Sequence, residues 1–158
     1  MTGEDGPRIL EIYKMGLETR NATFETEVPS WVDWDAKHHA HSRFVFVEGE
    51  KVLGWIALSP VSARKVYAGV VEVSVYIDTD AHGKGIGSKL MEKVIFSSGE
   101  QGIWTLYSSI FPENIATLRL HEKFGFRVIG RRENIAKLDD QWRDTILLER
   151  RSNVIGIE

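Results

Sequence analysis

The apolar positions of the chain change period several times, and each change marks an element. Ile9, Leu10, Ile12, Tyr13 and Leu17 recur at helical spacing, and Pro7 suits a first turn, so residues 7–19 read as a helix. From Asn21 to His41 the pattern is irregular at first. It turns helical after Pro29-Ser30, with Ser30 as a cap and Asp33 three residues on. Residues 43–48 (RFVFVE) and 51–58 (KVLGWIAL) alternate as strands about Gly49-Glu50, which predicts a hairpin. Residues 66–77 carry the strongest strand pattern. Val71, Val73, Val75 and Ile77 fall on one face, and Val70, Glu72, Ser74 and Tyr76 on the other. Residues 85–97 read as a helix with Ile86, Leu90, Met91, Val94 and Ile95 in one stripe and a stop at Ser97-Ser98-Gly99. A strand follows over 103–108, then a short helix from Asn114, its cap, to Phe124, stopped by Gly125. Residues 126–135 and 142–150 close the chain as two strands around Leu138-Asp139-Asp140-Gln141. Strands interleaved with helices predict an α/β layer structure, a mixed sheet flanked by helices. No repeat or linker interrupts the chain, so residues 1–158 read as a single domain.

Composition narrows the function. With 42% apolar and 27% charged residues in 158, the chain is an ordinary globular one. A formal net charge of -3 argues against a nucleic-acid partner. No apolar run approaches the roughly 18 residues of a membrane span, and MTGEDGPRIL lacks the pattern of a signal peptide. A cytoplasmic location with no membrane partner is the expectation. The absence of cysteine removes disulfides, thiolate metal sites and a cysteine nucleophile together.

The distinctive segment is Ala81–Ser88, AHGKGIGS, which joins the strongest strand to a helix. Glycines at 83, 85 and 87 leave room for a ligand to approach the backbone, whose N–H groups can point at it. The helix start adds a dipole that favours an anion. A phosphate or pyrophosphate site is the direct reading, with Lys84 and Lys89 as added positive charge. A P-loop and a dinucleotide fingerprint both fail here, because Ser88 stands where a glycine is required. A plain strand-to-helix turn explains three alternate glycines poorly.

These residues resemble the GNAT superfamily of acyl-CoA-dependent N-acetyltransferases, whose pyrophosphate turn reads Arg/Gln-x-x-Gly-x-Gly/Ala. Here it is His82-Gly83-Lys84-Gly85-Ile86-Gly87, with His82 in the first place. The resemblance spans about residues 8–150. ILEIY, NATFET, VEVSVYI, HGKGIGS, ENIATLRLHEKFGF and Trp142-x-Asp144 are similar to the phosphinothricin N-acetyltransferase branch in particular. The resemblance implies acetyl-CoA as co-substrate, no metal, and a homodimer. Backbone groups of Val75, Tyr76 and Ile77 would bond the pantetheine arm, the turn from His82 through Gly83, Lys84, Gly85, Ile86 and Gly87 to Ser88 would hold the pyrophosphate, and Asn114 would lie near the thiol end. The family normally begins with a strand before the first helix, and no such strand is readable in MTGEDGPRILEIY. Several amino-acid-using relatives also place an arginine before the Val-Glu pair. Tyr67, Ala68, Gly69 and Val70 stand there, with Arg64 and Lys65 nearby.

Acetyl transfer to an amine needs a base for the ammonium proton and help for the leaving thiolate. Glu72 is the candidate base, a carboxylate inside an apolar strand; the competing reading is a solvated or ion-paired strand glutamate. His121 is the second candidate, able to partner Glu72 or act as acid, against the alternative of an ordinary helix histidine. His38, His39 and His41 have no third metal ligand fixed nearby and read as a solvated helix end. Tryptophans 31, 34, 55, 104 and 142 read as core rather than as an acceptor pocket. The expected function is acetyl transfer to a small amino-acid-like amine, phosphinothricin or methionine sulfoximine in type, by direct transfer. The alternatives are a peptide or protein N-terminal acetyltransferase and a non-catalytic acetyl-CoA-binding module.

Overall fold

Six strands carry the fold, and the two faces of their sheet decide where the helices lie. The computed structural model describes all of residues 1–158. In chain order the elements are α1 (Gly6–Glu18), α2 (Trp31–Lys37), β1 (Phe44–Glu48), β2 (Lys51–Pro60), β3 (Val70–Ile77), α3 (Ile86–Glu100), β4 (Thr105–Ile110), α4 (Ile115–Lys123), β5 (Arg127–Leu138) and β6 (Gln141–Arg151). The sheet order is β1-β2-β3-β4-β6-β5, antiparallel except for the β3–β4 pair. This is the mixed, helix-flanked sheet that the pattern predicts.

Each face of β2 and β3 buries a different cluster. Ile56, Leu58, Val71 and Val73 meet Ile86, Leu90, Met91 and Val94 of α3. Trp55 and Ala57 meet Ile9 and Ile12 of α1 and Trp34 of α2, with Tyr76 packed against them. Each aliphatic side chain so buried contributes about 1.5–3 kcal/mol.

Several boundaries differ from the pattern, each for a local reason. β3 begins at Val70 rather than at residue 66, because Lys65–Tyr67 form a 3-10 turn and Gly69 runs against Trp104. A Cβ on Gly69 would come within 2.0 Å of that ring. α3 passes through Ser97-Ser98-Gly99 to Glu100, since Ser98 Oγ donates back to Ile95 O and leaves the helix intact. The chain turns instead at Gly102, with φ of +79°. The β5–β6 hairpin closes on Asp139 and Asp140, both at positive φ. The chain enters α1 through a 3-10 turn at Gly3–Asp5, and β1 is an edge strand paired with β2 alone.

One feature of the sheet sets up the site. β3 keeps its register with β2 as far as Ile77. Its parallel register with β4 covers only Val70, Glu72 and Val71 against Thr105, Tyr107 and Leu106. Beyond Glu72 and Tyr107 the two strands part.

Candidate active site

The parting opens a cavity of about 800 Å³. β3 supplies one wall from Glu72 to Ile77, and β4 and α4 supply the other through Ser108, Asn114, Thr117 and His121. The segment between α1 and α2 covers it with Thr19 and Asn21–Glu25. At one end lies the glycine turn, at the other a side lined by Trp34, Lys37, His38 and Trp55.

The turn is built as the spacing predicts, with one difference. Gly83 and Gly85 have φ of +81° and +76°, and a Cβ on either would meet nothing within 4 Å, so the backbone is open toward the cavity. Gly85 is also the residue from which α3 starts. Gly87 serves packing instead: a Cβ there would lie 3.0 Å from Leu120 and 3.2 Å from Ile77. Positive charge stands on two sides of the turn. Lys84 pairs with Glu48 at 3.7 Å and Lys89 lies over the Phe46 ring, both on the β1 side. Arg119 and Lys123 of α4 line the cavity beside the turn, and Lys123 Nζ donates to Ser88 Oγ at 2.9 Å. The spacing of the turn could not announce cations on a helix some thirty residues further on. His82 is exposed at the rim.

Val75, Tyr76 and Ile77 line the cavity where β4 has left β3, and the backbone groups of Val75 and Ile77 point to that free edge, whereas those of Tyr76 face β2. Asn114 caps α4 by accepting from Thr117 N, and its Nδ2 donates to Asn21 O at 3.3 Å.

Glu72 stands where the strands part, half-buried and lining the cavity, and it forms no hydrogen bond or ion pair with any side chain. Burial pushes its carboxyl up, and the Lys37 ammonium pulls it partway back. Glu72 is not the ion-paired glutamate of the competing reading. Lys37 itself forms no ion pair, and it is the lysine or arginine on this side of the cavity.

His121 is buried and meets Ser108 rather than Glu72. Its Nδ1 donates to Thr117 O and its Nε2 accepts from Ser108 Oγ, each at 2.8 Å. A carbonyl can only accept, which fixes the tautomer. Burial pushes the imidazole down and keeps it neutral near neutral pH. With both nitrogens engaged, the ring offers no free N–H to the cavity, so Ser108 is the group through which it can act. Nothing in the strand pattern of residues 103–108 distinguished Ser108.

The histidine cluster divides. His38 is not a solvated helix end: it stacks on Trp34 at 4.1 Å, its Nδ1 bonds Trp34 O, and it lines the cavity. His39 and His41 stack on each other away from it, with centroids 4.9 Å apart. The tryptophans divide too. Trp34 and Trp55 are core residues and cavity walls at once, whereas Trp142 is exposed.

Comparison with known proteins agrees with this architecture. Residues 7–126 match the model of the acetyltransferase (GNAT) family. The phosphinothricin N-acetyltransferase of Streptomyces coelicolor is 33% identical over 155 residues, which cover 93% of this chain and 91% of that protein. The L-methionine sulfoximine/L-methionine sulfone acetyltransferase of Pseudomonas aeruginosa is 27% identical over 151 residues, covering 92% and 88%. Among solved structures, a GNAT superfamily phosphinothricin acetyltransferase from Sinorhizobium meliloti in complex with AcCoA superposes with a TM-score of 0.90, covering 100% of this chain and 89% of that one at 23% identity. The chain belongs to the GNAT acetyltransferase family, and it is an N-acetyltransferase of that family. No helix is long and apolar enough to cross a membrane.

Proposed function

We propose that the protein transfers an acetyl group from acetyl-CoA to the amine of a small amino-acid-like substrate of the phosphinothricin or methionine sulfoximine type. The observation that carries this reading is Glu72, an unpaired, half-buried carboxylate at the point where β3 and β4 separate. The residues present fit the co-substrate. The free edge of β3 at Val75–Ile77 accepts an extended amide-bearing arm, and the open glycine turn with Arg119 and Lys123 accepts a pyrophosphate.

Glu72 takes the proton of the incoming ammonium and frees the nitrogen lone pair. The nitrogen then bonds the acyl carbon, the carbon–sulfur bond breaks, and the second proton that the nitrogen must lose goes to the departing sulfur, so that an amide and a thiol are the products. Ser108 stands at the same parting of the strands; its single hydroxyl proton is donated to His121 Nε2, so it serves that sulfur only by turning its O–H away from the ring. Absence of cysteine favours direct transfer without a cysteinyl intermediate.

The side of the cavity beyond Glu72 supports the acceptor class. An amino acid presents an ammonium and a carboxylate together, and Glu72 and Lys37 offer the complementary pair. Arg64 stacks on Tyr67 and does not line the cavity. The relatives named for phosphinothricin and methionine sulfoximine point to the same class. A homodimer is part of this reading, with exposed Val128, Ile129, Ile135 and Trp142 on the β5–β6 hairpin as its apolar surface. The test is thiol release from acetyl-CoA against a panel of amines led by phosphinothricin and methionine sulfoximine. Turnover confined to peptides would overturn the acceptor class.

A further inference from the structure

The segment that covers the cavity has almost no secondary structure, yet it is held at several points by side chains of other elements. It leaves α1 through Arg20, a non-glycine residue at φ of +55°. A side chain in that region is strained and persists where its surroundings fix it. The surroundings here centre on Arg143 of β6. Arg143 Nη1 donates to Arg20 O at 2.9 Å, and Nη2 donates to Asn21 Oδ1 at 3.0 Å and to Glu113 Oε2 at 3.2 Å. Its guanidinium lies 4.1 Å from the Phe111 ring centroid, and Phe24 packs edge-on against the same ring at 4.8 Å. Asn114 adds its bond to Asn21 O from the cofactor side. Arg143 is 16% exposed and does not line the cavity.

We infer that Arg143 is a positioning residue, which clamps the Arg20–Phe24 segment to the Glu113-Asn114 turn and so holds the acceptor-side cover in register with the cofactor end of the cleft. One planar cation reaches three separate partners because its five donors form a fixed fork. A lysine ammonium reaches one or two of these partners and holds no plane against Phe111. The clamp explains why a segment with no strand or helix can form a wall of a binding site, since its ends alone would leave it free to open. The consequence for catalysis rests on the acetyltransferase reading; the clamp itself does not.

Two measurements separate those parts. The first is trypsin cleavage after Arg20 in the protein without substrates, where the Arg20 side chain is accessible at 48% exposure. Arg143→Met speeds this first cut by about tenfold, as expected when a local opening loses its restraint, and Arg143→Lys lies between it and the wild type. The second is steady-state kinetics. Arg143→Met raises KM for the amine by about tenfold and leaves KM for acetyl-CoA within about twofold, and Asn21→Ala added to Arg143→Met causes no further loss. An unchanged cut after Arg20, or a parallel rise in both KM values with additive losses in the double variant, overturns the clamp. Should the wild type acetylate no amine, the acetyltransferase reading fails while the cleavage result still decides the clamp.

Discussion

Glu72 and Lys37 show what a single residue can and cannot reveal before folding. A glutamate inside VVEVSVYI stands out in the sequence because burying a carboxylate is costly without a use. Lys37 does not stand out, since one lysine at the end of a short helix looks like any solvated charge; only the fold places it on the cavity wall near Glu72. His121 was legible as a chemical residue, but its partner was not, because Ser108 joins it across 13 positions of sequence. Glu72→Gln should lower kcat by about 10²–10⁴-fold, the usual weight of a general base, while calorimetry finds acetyl-CoA affinity nearly unchanged. The pH dependence has a definite sign. The base works only when ionised, and burial raises its carboxyl, so kcat/KM should fall with decreasing pH through a midpoint above the ordinary value of about 4.3. An acid limb at or below that value, or one retained by the glutamine variant, would remove Glu72 from this role. Lys37→Glu should raise KM for amino acids by about tenfold while the corresponding amino-acid amides lose little, since they carry no carboxylate for Lys37 to meet. An equal loss for both acceptor types would contradict the pairing.

At the scale of elements, the glycine turn was readable as a turn and as an anion site, but its three glycines were not distinguishable by spacing. Positive φ at Gly83 and Gly85 and close packing at Gly87 are different physical demands that produce the same letter. Gly85→Ala forces a Cβ into left-handed backbone at a cost of about 1–2 kcal/mol, so it should weaken acetyl-CoA binding in calorimetry. Gly87→Ala should act chiefly on thermal stability, because Leu120 and Ile77 must move to admit it. Equal effects of both variants on binding and on melting would dissolve the distinction. Helix ends followed local rules where a cap settled them, as at Ser30 and Asn114. They failed at Ser98, where the hydroxyl bonded back into the helix.

At the scale of the whole molecule, the strands and helices were legible in order and type, because each face of the sheet buries a periodic apolar set. The parting of β3 from β4 was not, since both strands carry uninterrupted strand patterns through it. Long-range ties were hidden as well. Asp78, just after β3, is buried and bonds Arg8 of α1, whose Nε also donates to Val52 O. The backbone N–H of Asp80, followed by Arg8, holds the Asp78 carboxyl below the usual range against the opposing effect of burial. A depressed folded value means that this group stabilises the fold above its unfolded pKa and loses that contribution as pH falls through the folded one. Asp78→Asn should therefore melt lower than the wild type at neutral pH, with the gap narrowing as the medium is acidified below about pH 4. A gap that stays constant with pH, measured by thermal melts, would show that the charge is not the source of the stability.

The partial register of β3 has a thermodynamic consequence. A sheet strand that is paired along its full length on one side and along only its first residues on the other is a half-finished ladder. Acetyl-CoA laid along its free edge would act as a detachable strand of the sheet, and its binding energy would also be folding energy. The melting temperature then becomes a binding isotherm. At one hundred times the dissociation constant, such a ligand adds about 2.7 kcal/mol to unfolding, and the amides it protects from exchange should be those of Val75 and Ile77 on the cleft side, not that of Tyr76, which faces β2.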